Sequence, residues 1–427
     1  MSQTELLAGA IFIGVYALIV SERLHRTIAA LLGAVLVIAT GLLTQNEAFS
    51  NEVVDFNVIF LLAGMMVIAN ILAKTGLFQW IAVEAVRFTK GDPYQVLVVA
   101  SVVTAVVSSV LDNVTTVVLV VPITFFITQR LRMDPVPILI SQILASNIGG
   151  TATLIGDPPN LIIGSRLGKD FGDFLINTAP ASIASLAGYL LLARWLFRKE
   201  LGGERLTQAD IDELVRDERR IADPKMMRTG LVVLLLTIIG FIVARPLGLQ
   251  GATVALAGAV ILMIVSKDDV QEILRTVEWS SLFFFIGLFI VVGAVVKAGL
   301  IKDLATGALS LTGGRTDVAA LLVLWMSGFL SAIVDNIPYT ITMVPLVAEL
   351  GRTVNVEPLI WALSLGANFG GNATVIGASA NVVVSGMAAA QGYPITFRGY
   401  LRYGVPATLL TMVISTIDIW LRHLVFS

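Results

Sequence analysis

The chain has 427 residues, 56% hydrophobic and only 14% charged, where an ordinary soluble domain carries about a quarter charged. A net charge of −2 without a basic stripe excludes a nucleic-acid partner, and the lack of cysteine excludes disulfides, iron–sulfur clusters and thiolate zinc sites. His25 and His423 lie far apart and no GxxxxGK[ST] or GxGxxG occurs, so the reading is neither an enzyme nor a cofactor protein.

In chain order, apolar stretches of roughly 20 residues recur, each long enough to cross a bilayer as a helix. The predicted spans of the first half are 6–22, 27–44 and 56–74. An amphipathic segment (77–89) follows, then a paired apolar stretch (94–128) broken at Asp112-Asn113, an interrupted helix (137–163) and a last span (179–197). The first stretch has no basic residue before it and no small-residue cleavage site after it, so it reads as a retained span, not a signal peptide. Residues 198–227 are polar and predict a cytosolic connector helix, with Thr207-Gln-Ala-Asp210 resembling a capping box. The second half repeats the order: 228–246, 250–266, 279–298, then 300–311, 317–350, 358–385 and 400–424.

The halves share sequence as well as order. The segment from Asp55 to Leu77 recurs from Glu278 to Leu300, and Ser108-Ser-Val-Leu-Asp112-Asn113 recurs as Ser331-Ala-Ile-Val-Asp335-Asn336, both 223 positions on. Asn147-Ile-Gly-Gly-Thr-Ala-Thr-Leu-Ile-Gly to Asn160 recurs from Asn368 to Asn381, 221 positions on, with 8 of 14 residues identical. The expected fold is therefore an all-α polytopic membrane protein of two inverted repeats, 1–197 and 228–427, joined by the connector 198–227. If each broken paired stretch is a re-entrant hairpin, each half crosses five times, and an odd number inverts the second half. With both termini outside, 20 of the 28 Lys and Arg fall on the cytoplasmic side, as the positive-inside rule requires of a cell-membrane protein.

Carboxylates at bilayer depth cost roughly 2.5–3.5 kcal/mol and are kept mainly for function. Asp112 and Asp335, each followed by Asn and ten residues later by Pro, read as a paired proton or cation site; capping of the second hairpin arm is the plainer reading. Gly149-Gly150 and Gly370-Gly371 break apolar helices, and broken backbone in lipid survives where it lines a cavity or is buried in protein. Their exposed helix ends, with Asn113, Thr115, Asn147, Thr151, Thr153, Asn336, Asn368, Asn372 and Thr374, form the candidate substrate and ion site. The glycines also permit close helix packing. Asp157, Asn160 and Asn381 are further candidates; Asp157 breaks the symmetry, because its counterpart is Ala378. Lys74 and Lys297 read as snorkelling residues, and Asp418 and Arg422 as a pair.

The motifs Leu111-Asp-Asn-Val-Thr-Thr116, Asn147 to Asn160 with its Gly156-Asp-Pro-Pro-Asn160 end, Asp335-Asn-Ile-Pro338 and Gly370 to Asn381 resemble the ion transporter superfamily. Within it they are similar to the arsenite exporter and NhaD-type sodium/proton antiporter branch, and to the P protein group. The resemblance implies a scaffold and a transport unit, two hairpin tips and two broken helices meeting at the substrate, elevator-like movement and a homodimer. Dicarboxylate carriers of that superfamily have Ser-Asn-Thr where this chain has Asp112-Asn113-Val114 and Asp335-Asn336-Ile337, which argues against dicarboxylate uptake. The expectation is a secondary transporter for a small inorganic solute or ion. It points first to proton-coupled arsenite or antimonite efflux and second to sodium/proton antiport, ahead of an anion permease or channel. Energy comes from an ion gradient or from a separate soluble ATPase partner.

Overall fold

The computed structural model describes residues 2–21, 23–89, 92–130, 133–198, 200 and 223–425, and among them every regular element is a helix. The first half contains α1 (Gln3–Val20), α2 (Arg26–Ala39), α3 (Gln45–Ala48), α4 (Phe56–Lys74), α5 (Leu77–Thr89), α6 (Pro93–Ser108) and α7 (Asn113–Arg130). It continues through α8 (Val136–Gly150), α9 (Pro158–Leu167), α10 (Phe171–Asn177) and α11 (Ala179–Leu196). The second half runs α12 (Pro224–Val243), α13 (Gly251–Ser266), α14 (Val270–Arg275), α15 (Trp279–Ala298), α16 (Leu300–Thr312) and α17 (Thr316–Ser331). It ends with α18 (Asn336–Leu350), α19 (Val356–Gly370), α20 (Ser379–Ala390) and α21 (Phe397–Ile419), the last closing in a π-helical turn, Trp420–Val425. Seven of these helices are long and apolar enough to cross a membrane, and six shorter apolar helices accompany them. The chain is a multi-pass membrane protein.

The spans begin and end where local chemistry dictates. Asp55 caps α4 through the Val58 amide (3.2 Å), and Asp92 caps α6, whose first residue is Pro93. α15 stops at Gly299, whose φ of 95° is one that residues with a Cβ rarely adopt. α2 ends at Ala39, earlier than the sequence predicts, because Gly41 turns the chain (φ 76°). The Thr44–Glu47 capping box then starts the short α3. The connector expected over 198–227 lies outside the described residues apart from its edges, where Asp223 caps α12.

Two parallel crossings repeat across the halves. Gly64 of α4 lies against Ala255 of α13, and Gly287 of α15 lies against Ala30 of α2; a Cβ on either glycine would sit 2.8 or 2.7 Å from backbone carbon. These four helices form one packed group, α4 and α15 being its most buried spans. The hairpins α6–α7 and α17–α18 pack on the broken helices α8–α9 and α19–α20 as a second group.

The two lysines expected to snorkel reach exposed acids at their span ends: Lys74 pairs with Asp268 (3.3 Å), and Lys297 with Glu47 (2.7 Å). Lys297 and the Thr44 cap hold the Glu47 carboxyl down at about 2, so this exposed pair is fully formed above the ordinary glutamate range and is lost as pH falls toward 2. Asp418 and Arg422 pair at 3.5 Å, as the spacing predicts.

Candidate functional site

Each hairpin tip is stitched to its own broken helix by hydroxyls, in the same way in both halves. Ser108 donates to the Ser146 carbonyl (2.7 Å) and Thr153 to the Ser109 carbonyl (2.5 Å). Ser331 donates to the Ala367 carbonyl (2.5 Å) and Thr374 to the Ala332 carbonyl (2.6 Å). Thr151 caps locally on Asn147. The glycine pairs serve close approach: a Cβ at Gly149 would fall 2.1 Å from the Ala105 carbonyl oxygen, and one at Gly370 would fall 2.5 Å from that of Gly328. A Cβ at Gly150 would fall 2.5 Å from the Gly156 carbonyl oxygen, and one at Gly371 would fall 2.9 Å from that of Gly377, within their own broken helices. For these glycines the packing reading holds; their contribution to a site is the bare helix ends they leave.

The two broken helices exchange asparagine amides. Asn147 donates to Asn381 Oδ1 (2.9 Å), and Asn368 donates to Asn160 Oδ1 (2.8 Å). Asn147 also reaches Asn372 Oδ1 (2.9 Å). Asn160 holds the carbonyls of Thr151 and Thr153, and Asn381 those of Gly371 and Thr374, so each folds its own break. Asn368 Oδ1 is buried with no partner, although such atoms are nearly always bonded.

Four helix N-termini converge here, those of α7, α9, α18 and α20, and Asp112, Asp157, Asp335 and Ala378 precede them. Asp112 and Asp335 do cap: Asp112 accepts from the Thr115 amide (2.9 Å) and hydroxyl (2.5 Å), and Asp335 from the Ile337 amide (3.0 Å). Asp157 does not. Wholly buried at a cap position, it makes no side-chain cap bond and turns to the opposite elements. Its Oδ2 accepts from Asn113 (3.0 Å) and its Oδ1 from Asn336 (3.4 Å), one amide from each hairpin tip. Asp112 and Asp335 both lie within its electrostatic reach. Of these three aspartates, the one without a symmetric twin thus sits where both halves meet.

Arg26 is a partner of this cluster that the motifs do not disclose. From the start of α2 it pairs with Asp335 Oδ2 (3.3 Å), donates to the Ser379 hydroxyl, reaches the Ser281 hydroxyl (3.4 Å) and lies over the Phe284 ring. Among the described residues no other Lys or Arg pairs with the three aspartates. A cavity of about 370 Å³, lined by His25, Arg26, Glu278, Asp335 and Ser379 among others, opens beside this pair. On the opposite side of the site, Arg166 of α9 holds Asp55 (3.3 Å) and the carbonyls of Glu52 and Val53.

Comparison with known proteins agrees with this architecture. The fold is similar to the YdaH transporter of Alcanivorax borkumensis, with a TM-score of 0.60 over 98% of both chains at 13% identity. An uncharacterised transporter of Mycobacterium tuberculosis (strain H37Rv) is 41% identical over 99% of both chains, and a 46 kDa membrane protein of Mycobacterium leprae is 41% identical over 99% of this chain and 100% of its own. The P protein of Mus musculus is 31% identical over 98% of this chain, which spans 60% of that longer protein. The sequence model of the citrate transporter family matches residues 16–366, and the chain belongs to that family of membrane transporters.

Proposed function

We propose that the chain is a proton-coupled secondary transporter that exports a small neutral or cationic solute, arsenite or antimonite first, and that the coupling proton is shared between Asp157, at the centre of the site, and Asp335 beside it. The observation that carries this reading is the Asp157 carboxylate, buried, uncapped and held by Asn113 and Asn336 from the two hairpin tips. A proton there removes the charge that both amides solvate, so proton occupancy and the closure of the two tips are linked. Asp112 and Asp335 flank it and add acceptors for a cation or for the hydroxyls of As(OH)3. Sodium/proton antiport uses the same groups and is the second reading; the unpartnered Asn368 oxygen favours a cation, since it offers a ready ligand.

Citrate, the solute in the family's description, fits this site less well. Two like charges about 6 Å apart at an effective dielectric near 20 repel by roughly 3 kcal/mol. A tricarboxylate would meet three aspartates against the one paired arginine, Arg26. The cavity opens on the Arg26 side, which the distribution of basic residues assigns to the cytoplasm, so the site is read as facing inward. Elevator-like movement of the hairpin and broken-helix group against α1, α2, α4, α13 and α15 would carry it outward. The cycle needs an ion gradient. The test is pH-driven flux in liposomes: Asp157→Asn should abolish it while the protein remains folded and monodisperse, and wild-type flux in that variant would overturn the assignment.

A further inference from the structure

Arg26 stands first in α2, where the helix dipole disfavours a cation. Its contacts divide between two groups of helices. Ser281 and Phe284 belong to α15, beside α2 in the packed group; Asp335 and Ser379 belong to the hairpin and broken helix of the second half. Tyr16 of α1 adds a second grip, its hydroxyl donating to the Pro338 carbonyl (2.5 Å) and meeting the Thr342 hydroxyl (2.6 Å). Hairpin 2 is thus held at its tip and on its second arm.

Among the described residues the first-half hairpin, α6–α7, has no such hold. The matching contacts Gly287–Ala30 and Gly64–Ala255 set an offset of 255 − 30 = 225, which places Gly251 where Arg26 stands (26 + 225 = 251). The contacts Gly33–Val15 and Gly258–Thr237 set an offset of 237 − 15 = 222, which places Ile238 where Tyr16 stands (16 + 222 = 238). Neither can donate from its side chain. Asp112, the twin of Asp335, turns to its own helix and makes no ion pair among the described residues. The hold on a hairpin tip therefore belongs to one end of the movement, while Arg166 ties α9 to the Asp55 cap of α4 at the other. The tip hold rests on a carboxylate that the solvent-reached cavity can load.

We propose that Arg26 is a coupling lock: it pins the transport group while Asp335 is ionised and empty, and releases it when a proton or cation loads Asp335. This deepens the reading above and rests on it for the identity of the load. The step is an exchange of partners. A proton from the cavity adds to the Asp335 carboxylate, the charge that Arg26 neutralises disappears, and Arg26 keeps Ser281 and Phe284 on its own side. No covalent bond in the protein breaks. The ionisable groups facing the pair are Glu278 before α15, Tyr16 of α1, His25 before α2 and Asp157 before α9, with Asp112 before α7 within reach of Glu278. An empty carrier that cannot move enforces exchange of proton for solute; without the lock it slips.

The test compares Arg26→Gln and Arg26→Lys with wild type in two assays. In liposomes, Arg26→Gln should raise solute flux down its own gradient without a pH difference by about tenfold, the scale of one charge-assisted hydrogen bond, while solute–solute exchange stays near wild type. Arg26→Lys should restore coupling. A purely structural Arg26 would lower both fluxes together, and that result overturns the proposal. The second assay needs no solute. Ile333 lines the cavity and is 44% exposed, so Ile333→Cys in this cysteine-free chain reports the open cavity through its maleimide labelling rate. Labelling should slow when pH is lowered and should be slow at every pH in the Arg26→Gln background. Equal, pH-independent rates in both backgrounds overturn the lock, even if none of the solutes tried is transported, an outcome that would count against the transport reading alone.

Discussion

Asp157 and Ala378 occupy the same place in the two repeats, and the difference between them gives the site its single central carboxylate. A buried carboxylate that accepts two amides loses both when it is replaced, and hydrogen bonds to charged groups contribute about 1.5–3 kcal/mol each. Asn113→Ala and Asn336→Ala should therefore each lower pH-driven flux roughly ten- to hundredfold, and more than Asp112→Asn, whose carboxylate mainly serves its own helix cap. Initial rates at fixed pH difference measure the ranking; Asp112→Asn proving the most damaging would return the coupling role to the hairpin tip. The sequence carries the two Asp-Asn tips openly, because they repeat. Asp157 can be read only as an asymmetry, since the choice between capping its own helix and turning to the tips is a rotamer decision made by packing. Arg26 is hidden more deeply: 309 positions separate it from Asp335, and no local pattern joins them.

At the scale of elements, span positions follow from apolar length and from punctuation by Gly, Pro and Asp, so most sequence boundaries fall within a few residues of the observed helices. The short α3, α10 and α14 escape because four to seven polar-flanked residues carry no periodicity. The glycine breaks have a distinct signature. Gly149 and Gly370 face backbone at a separation where a Cβ has no room, and overpacking of this kind costs about 1–3 kcal/mol. Gly149→Ala and Gly370→Ala should both lower the Tm of the purified protein, whereas Gly386→Ala, with open space around it, should not. Equal shifts at all three positions would show that the breaks tolerate a side chain and that close packing is not their role.

For the whole molecule, the exchange of amides between Asn147 and Asn381 and between Asn368 and Asn160 is the pattern that two halves related by a twofold axis produce. Whether that axis lies in the membrane plane is a question of sidedness. Single cysteines at position 2 and position 207 should label from opposite sides, with 207 accessible from the cytoplasm; labelling of both from one side would contradict five crossings per half. Inverted halves would let one site be offered to either side, and a hold at Arg26 would keep open the cavity beside Asp335.

The central claim is that the site takes a neutral or cationic solute in exchange for a proton. Its most direct measurement is flux into and out of liposomes containing the purified protein, driven by a pH difference, with arsenite, antimonite, sodium, citrate and succinate compared at equal concentration. The account predicts saturable pH-driven flux of arsenite, antimonite or sodium that citrate and succinate do not inhibit and that Asp157→Asn abolishes. Saturable transport of citrate or succinate, unaffected by arsenite and sodium, would contradict it.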